Sequence, residues 1–258
     1  MKLAIAGKGG VGKTTLVALL AQIYANRERV VLAVDADPSP CLAIALGFPA
    51  ELQSKLSPIS EMDDLIYERT GARPGSSGGF FTINPKVDDL PERFSVLHNN
   101  VRLLEMGAID SGGAGCICPE SAMLKTLFTH LLFRNDDILI FDMYAGVEHL
   151  GRATVDFVDA LIVVVEPTRR SLGTATQIKS LANDIGLERM WLVGNKVRSA
   201  DDIAFIKSNS PGISVLGNLP HDESIYEADR LGISVHDHVP TVRKAAETIA
   251  DDLLERIE

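Results

Sequence analysis

KLAIAGKGGVGKTT, residues 2–15, sets a short apolar run ahead of a loop that matches the pattern G-x-x-x-x-G-K-[ST], with an apolar-rich stretch behind it. The run reads as a buried strand and the stretch behind as a helix, which is the strand–loop–helix setting that gives the pattern its meaning. Its glycines let consecutive backbone N–H groups turn inward around phosphate oxygens, and the following helix offers its positive N-terminus to the same anion. Gly7, Gly9, Gly10, Val11, Gly12, Lys13, Thr14 and Thr15 are therefore candidate nucleotide-binding residues. In this pattern Lys13 reaches the outer phosphates and the Thr14 hydroxyl ligates Mg²⁺.

Outward from that loop, short runs rich in Val and Ile recur at 2–6, 30–34, 137–142, 160–166, 190–195 and 213–220. They show no polar alternation, as befits strands buried on both faces. Helices are expected at roughly 13–25, 171–185, 221–231 and 240–256, so strands and helices alternate. The fold class is α/β: a mostly parallel central sheet flanked by helices, in the P-loop NTPase arrangement. Residues 1–258 are read as a single domain. The stretch from about 50 to 100 breaks the rhythm and is treated as an elaboration, with 73–79 as its mobile loop and strands at 80–83 and 101–106.

The chain has 258 residues, 46% of them hydrophobic, enough to bury a full core. A formal charge of -10 opposes any general grip on nucleic acid or anionic lipid, since both require a positive surface. The first apolar run is too short for a signal peptide or a membrane span, so a cytoplasmic protein is expected. Its three cysteines do not make a secreted disulfide framework.

Lys8 exceeds the basic pattern. The spelling KGGVGKT resembles the deviant Walker A motif of the ATPase family that contains MinD, ParA and the nitrogenase iron protein. The resemblance implies ATP and ADP as ligands sandwiched between two subunits. Lys8 then crosses to the partner's nucleotide and stabilises charge on the transferring phosphoryl group. It also implies a catalytic role for Lys13. In DADP, Asp37 becomes a switch I residue near Mg²⁺ and the attacking water, while Asp35 is open to the simpler role of capping the following turn. FDMYAG resembles switch II, with Asp142 as the carboxylate that holds a Mg²⁺-bound water and Gly146 as the residue whose N–H senses the γ-phosphate. Tyr144 stands where many members have proline. Asn195 in GNK is implied at the adenine edge and Pro220 near the ring.

Cys116 and Cys118 lie in GGAGCICPE, residues 112–120. In extended chain, positions i and i+2 point the same way, so the two sulfurs can share one ion. A helix is expected to begin near Glu120 or Ser121, favouring the thiolate that a metal needs. Burial as two small apolar residues is the alternative. Two thiolates do not complete a site for Zn²⁺ or Ni²⁺, whereas a two-fold axis nearby brings four together.

With DADP, AGVEHL, VVVEP and NKVR, this C-x-C makes the chain similar to the CooC maturation proteins, ATPases associated with nickel insertion into carbon monoxide dehydrogenase. The implied function is an ATP-driven metallochaperone: a homodimer carrying Ni²⁺ or Zn²⁺, with carbon monoxide dehydrogenase as client. Nucleic acid and membrane are not expected partners. Two other readings stand beside it: a MinD- or ParA-like organiser of membrane or DNA cargo, and an electron-transfer ATPase with a bridging iron–sulfur cluster. The organiser is disfavoured by the tail TVRKAAETIADDLLERIE, which lacks a positive face. The cluster reading is disfavoured because nitrogenase-type proteins draw their cysteines from separate segments. Glu148 and His149 are candidates for passing on a switch II shift; His236 and His238 are expected on an exposed loop; Cys41 is expected to pack beneath the first helices.

Overall fold

β1 (Lys2–Ala6) is buried on both faces, and a parallel strand on each side satisfies its backbone. The other strands are β2 (Val31–Ala36), β3 (Val96–His98), β4 (Val101–Glu105), β5 (Ile138–Met143), β6 (Ala160–Val165), β7 (Met190–Val197) and β8 (Ser214–Pro220). In this computed structural model, which describes residues 1–75, 80–107, 118–134, 137–144 and 157–257, they form one sheet of order β3-β4-β2-β5-β1-β6-β7-β8. Every neighbouring pair is parallel except β3 with β4. The expected α/β class with a mostly parallel sheet is what the residues form.

Alternate residues of the central strands feed two apolar layers. Leu3, Ile5, Ala33, Ile140 and Ile162 pack on the side of the helices Lys13–Asn26 and Pro240–Ile257. Ala4, Ala6, Val34, Phe141 and Val163 face the helices Pro119–Phe133 and Arg169–Ile185. The final helix buries Val242, Ala246, Ile249, Ala250 and Leu253, one stripe at helical spacing, and leaves its acidic side outward.

Two local readings change. Residues 80–83 form no strand: Phe80 is fully exposed and the Thr82 N–H donates to the Thr70 carbonyl, tying the segment to the end of the helix Asp63–Thr70. The strand in this region is instead β3, joined to β4 by Asn99 and Asn100, both with positive φ (47° and 62°), the turn that suits a two-residue antiparallel hairpin. Residues 76–79, most of the expected mobile loop, lie outside the described residues.

In an open parallel sheet the ligand crevice lies at the carboxyl ends of the strands, where the chain's direction of travel reverses. Here that point is the end of β1. From it the chain passes to β2 on one side, while β6, β7 and β8 build the other.

Candidate functional site

Gly7 leaves β1 with φ +144°, and a Cβ there would stand 2.5 Å from the Val164 carbonyl oxygen of β6. Only glycine lets the loop turn this close to the neighbouring strand. The loop ends at Gly12, φ +97°, which precedes the helix Lys13–Asn26. That helix has no side-chain cap and no acidic residue in its first turn, so its leading N–H groups and positive end remain available to an anion. Lys13 is 7% exposed, its ammonium drawn back along the loop to 3.5 Å from the Lys8 carbonyl. Lys8 itself is exposed.

Register delivers the carboxylates. Asp142 pairs with Ile5 of β1 and with Asp35 of β2, so both acids sit at the carboxyl edge beside the loop. The Thr14 hydroxyl donates to Asp142 Oδ2 at 2.6 Å. Asp142 Oδ1 is buried and has no hydrogen-bond partner among the described residues. Burial, with the nearby charges of Asp35 and Asp37, raises the Asp142 pKa to about 7, against the opposing pull of Thr14 and Lys13. A buried carboxylate oxygen without a partner, beside a threonine hydroxyl and a phosphate-binding loop, fits a hard divalent cation that retains much of its water.

Asp35 is wholly buried and does structural work. Its Oδ1 accepts from the Asp37 N–H and its Oδ2 from the N–H groups of Cys41 and Leu42, shaping the turn that follows β2. Asp37 stands on that turn, its Oδ1 accepting from the Ser39 N–H. Cys41 does not pack beneath the helices: the same turn carries it to the site, exposed, with Sγ 3.7 Å from Thr14 Oγ1.

On the other flank, Asn195 is 2% exposed; its Nδ2 donates to the Val11 carbonyl at 2.7 Å and its Oδ1 accepts from the Lys196 N–H. Beyond it lies a cavity of about 170 Å³ lined by Gly10, Gly12, Thr15, Asn195, Lys196, His221, Asp222, Ile225 and Tyr226. It opens directly off the phosphate loop. Pro220 ends β8 just before this wall, and the residues after it form the lining.

Gly12→Ala brings these two flanks into conflict. Its Cβ would lie 2.1 Å from Asn195 Nδ2, and the left-handed backbone alone costs about 1–3 kcal/mol. We expect a destabilisation of that order in chemical denaturation, together with loss of nucleotide binding; an unchanged denaturation midpoint would show that the loop relaxes freely.

Residues 2–235 match the CobQ/CobB/MinD/ParA nucleotide binding domain. The carbon monoxide dehydrogenase accessory protein CooC of Rhodospirillum rubrum is 45% identical over 257 residues, covering 100% of this chain and 97% of that one. The chain belongs to this nucleotide-binding family. An uncharacterised ATP-binding protein of Methanocaldococcus jannaschii is 44% identical, with 90% of each chain covered. Among solved structures, a putative Borrelia burgdorferi plasmid partition protein bound to AMPPNP superposes with TM-score 0.71 at 16% identity, covering 99% of this chain and 98% of that one. MinD of Pyrococcus horikoshii with Mg-ADP gives TM-score 0.67 at 21% identity, covering 97% and 94%. These two likenesses establish the fold.

Membership implies nucleotide and Mg²⁺, and the site has the groups for both: a loop and helix N-terminus for phosphate, and Thr14 with the unpartnered Asp142 oxygen for the cation. Cys118 caps the helix Pro119–Phe133, its Sγ accepting from the Ser121 N–H at 3.3 Å, so that helix begins close to where the sequence placed it. Cys116, Gly146, Glu148 and His149 lie outside the described residues. Among the described residues there is no cluster of three or more His, Cys, Asp or Glu able to hold a metal ion, and no helix long and apolar enough to cross a membrane. The pair His236 and His238 is not on an exposed loop. Both lie on the short helix Val235–His238, where His236 is buried between Asn26 and Asp237 while His238 Nε2 lies 3.4 Å from Glu227.

Sequence reasoning passed over Lys196, Glu166, His221 and Tyr226. The signal for Lys196 was adjacency to Asn195, which has no force until the backbone at that position is known.

Proposed function

We propose that the chain is a cytoplasmic, ATP-hydrolysing metallochaperone that dimerises around nucleotide, binds Ni²⁺ or Zn²⁺ through Cys116 and Cys118 of both subunits, and delivers nickel to carbon monoxide dehydrogenase. The observation that carries this reading is the full-length 45% identity to the Rhodospirillum rubrum accessory protein. The site chemistry supports its ATPase part.

In that reaction a water oxygen bonds to the γ-phosphorus, the bond to the β-phosphate oxygen breaks, and ADP leaves. Such a transfer asks the protein for positioning and for relief of charge rather than for covalent chemistry. The loop N–H groups, the helix N-terminus and Lys13 take the phosphate charge. Thr14 and Asp142, already hydrogen-bonded to each other, hold the cation position, and Asp37 on the turn after β2 orients the attacking water. Mg²⁺, when bound there, neutralises charge shared by the β- and γ-phosphates. Gly146 reports the γ-phosphate, and Lys8, exposed at the loop's rim, acts on the partner's nucleotide. The adenine enters the cavity beside Asn195, near Pro220. Its asparagine is committed to the loop through Val11, so it supports the base from a fixed position.

Nickel and zinc are cargo in this scheme. Closing two subunits on ATP gathers four thiolates; hydrolysis loosens them and frees the ion. The test is an anaerobic titration of reduced, metal-free protein with Ni²⁺ and Zn²⁺, with and without ATP, following thiolate charge-transfer absorbance and molecular mass together. One ion per dimer is expected, with the signal lost in the Cys116→Ala/Cys118→Ala variant. Undiminished stoichiometric metal in that variant would reject the thiolate site, and clear binding of the unaltered chain to DNA or liposomes at physiological salt would favour an organiser instead.

A further inference from the structure

Asn195 and Lys196 are consecutive at the end of β7, yet both reach the same loop. In a regular strand, successive side chains point to opposite faces. Here the backbone of Lys196 is left-handed, φ 57°, an unusual conformation for a residue with a Cβ, and the pairing of β7 with β8 is irregular between Gly194 and Val197. The departure turns Lys196 back toward the phosphate loop. Its ammonium donates to the Gly10 carbonyl at 2.7 Å and to Glu166 Oε1 at 2.5 Å, while Asn195 takes the next carbonyl, that of Val11. Glu166 follows β6, and its own N–H is tied to the Ser171 hydroxyl on the helix Arg169–Ile185, so the carboxylate stands on a braced corner.

A peptide's C=O and the following N–H point in opposite directions. Holding the Gly10 and Val11 carbonyls toward β7 therefore fixes the N–H edges of the same two peptides on the opposite side, where the Val11 N–H meets the Lys8 carbonyl at 3.4 Å. A carbonyl left facing that side would repel phosphate. Two adjacent side chains thus hold two adjacent peptides against the inversion that would spoil the anion site. The Lys196 side chain also lies between two cavities: the one beside Asn195, and one of about 300 Å³ lined by Glu166, Pro167, Thr168, Lys196, Arg198 and others. Its stem is a shared wall.

Resting on the nucleotide-site reading above, we infer that Lys196, held by Glu166, is a positioning residue of the nucleotide site: it clamps the Gly10 carbonyl outward so that the loop is preset for phosphate before nucleotide arrives. Lys196 touches the loop and not the reacting atoms. Its charge is matched by Glu166, so its contribution is geometric rather than a further cation for the phosphates. Preset loops bind faster and more tightly because less order has to be imposed on binding.

The experiment measures binding of mant-ADP to the full chain, alongside the melting temperature without nucleotide, for the unaltered protein, Lys196→Met, Glu166→Gln and the double variant. Lys196→Met is expected to weaken mant-ADP roughly tenfold, about the effect of one hydrogen bond to a charged group. Its nucleotide-free melting temperature should stay close to that of the unaltered chain, because the pair is partly solvated, with side chains 34% and 26% exposed, and the Glu166 carboxylate left behind is still reached by water. Glu166→Gln should weaken binding less, and the double variant no more than Lys196→Met alone, because Glu166 acts through the lysine. Additive losses, or a fall in melting temperature with unchanged affinity, would overturn the inference and leave a merely structural strap. Should Lys196→Met fail to fold, the Glu166→Gln variant decides: affinity equal to that of the unaltered chain refutes the clamp. If the unaltered chain binds no mant-ADP, the nucleotide reading itself falls and this inference falls with it; if it binds and the variants bind equally, only the clamp is lost.

Discussion

Lys8→Ala is expected to lower ATP hydrolysis by about 10³-fold or more, the range of a charge supplied in trans to phosphoryl transfer, while nucleotide affinity changes little. The two lysines of the loop occupy opposite environments. Lys13 is buried, its ammonium near the Lys8 carbonyl, whereas the Lys8 side chain is exposed and makes no hydrogen bond or ion pair among the described residues. The Lys8 main chain is integral to the loop, since its carbonyl also accepts from the Val11 N–H at 3.4 Å. Alanine keeps that main chain and removes only the outward charge. The expected phenotype is therefore binding without turnover, together with loss of ATP-dependent mass doubling in light scattering. A Lys13→Ala variant would instead lose binding, because that lysine faces inward. Turnover within a fewfold of the unaltered chain for Lys8→Ala would show that this lysine is a solvated surface charge.

The sheet was legible because buried parallel strands carry no competing pattern: ILIF at 138–141 and LIVVV at 161–165 admit few other readings. The 80–100 region was less so. FFTI has the composition of a strand, but its backbone is engaged by Thr70 and Phe80 is left in solvent, a tertiary outcome that propensity does not encode. β3 has only three residues, and its signal was the turn, Asn99–Asn100, rather than the strand itself.

At the site, residues fixed by local pattern were readable and those fixed by backbone exception were not. Thr14 and Asp142 meet because a motif and a strand end are brought together by register. Lys196 reaches Gly10 only through a left-handed residue in a strand, and nothing in the letters NKVR announces that. The position of Cys41 escapes local pattern for a related reason: Asp35 gathers three backbone N–H groups and rolls the chain so that the thiol emerges beside Thr14. Pro240 suggests an exposed loop around His236, whereas burial of Val235 and Val239 pulls its short helix inward.

Asp142→Asn is expected to separate stability from function. In the metal-free protein Asp142 titrates at about 7, raised first by burial and then by the charges of Asp35 and Asp37. An ordinary aspartate in the unfolded chain titrates near 3.9. Below about pH 4 the group is protonated in both states and imposes no penalty. As pH rises from there toward 7 the unfolded chain gives up its proton while the folded one retains it, so stability falls. Above about 7 both are ionised and the penalty is complete, on the order of 4 kcal/mol. Glu105, also raised to about 7 by burial and by Asp35 and Glu61, adds a fall of the same sign, so the comparison must be between variant and unaltered chain rather than across pH alone. Asparagine accepts from Thr14 as the carboxylate does but does not titrate. Its amide N–H groups take the place of an oxygen that already lacks a partner, which costs about 1–3 kcal/mol at every pH. The stability of Asp142→Asn relative to the unaltered chain should therefore rise between pH 5 and pH 8 by the titrating part alone, as read by urea denaturation in chelator. With Mg²⁺ and ADP the order reverses: the unaltered chain gains stability and the variant gains little, because the variant offers no charge to the cation. Its ATP hydrolysis should fall by orders of magnitude. Parallel pH profiles for the two proteins in chelator would mean that Asp142 is already ionised in the folded state at pH 5, and equal stabilisation by Mg-ADP would remove it from the cation site. A residue that costs the empty protein stability and returns it on loading makes the nucleotide-free state the less stable one near neutral pH, and that bias favours loading.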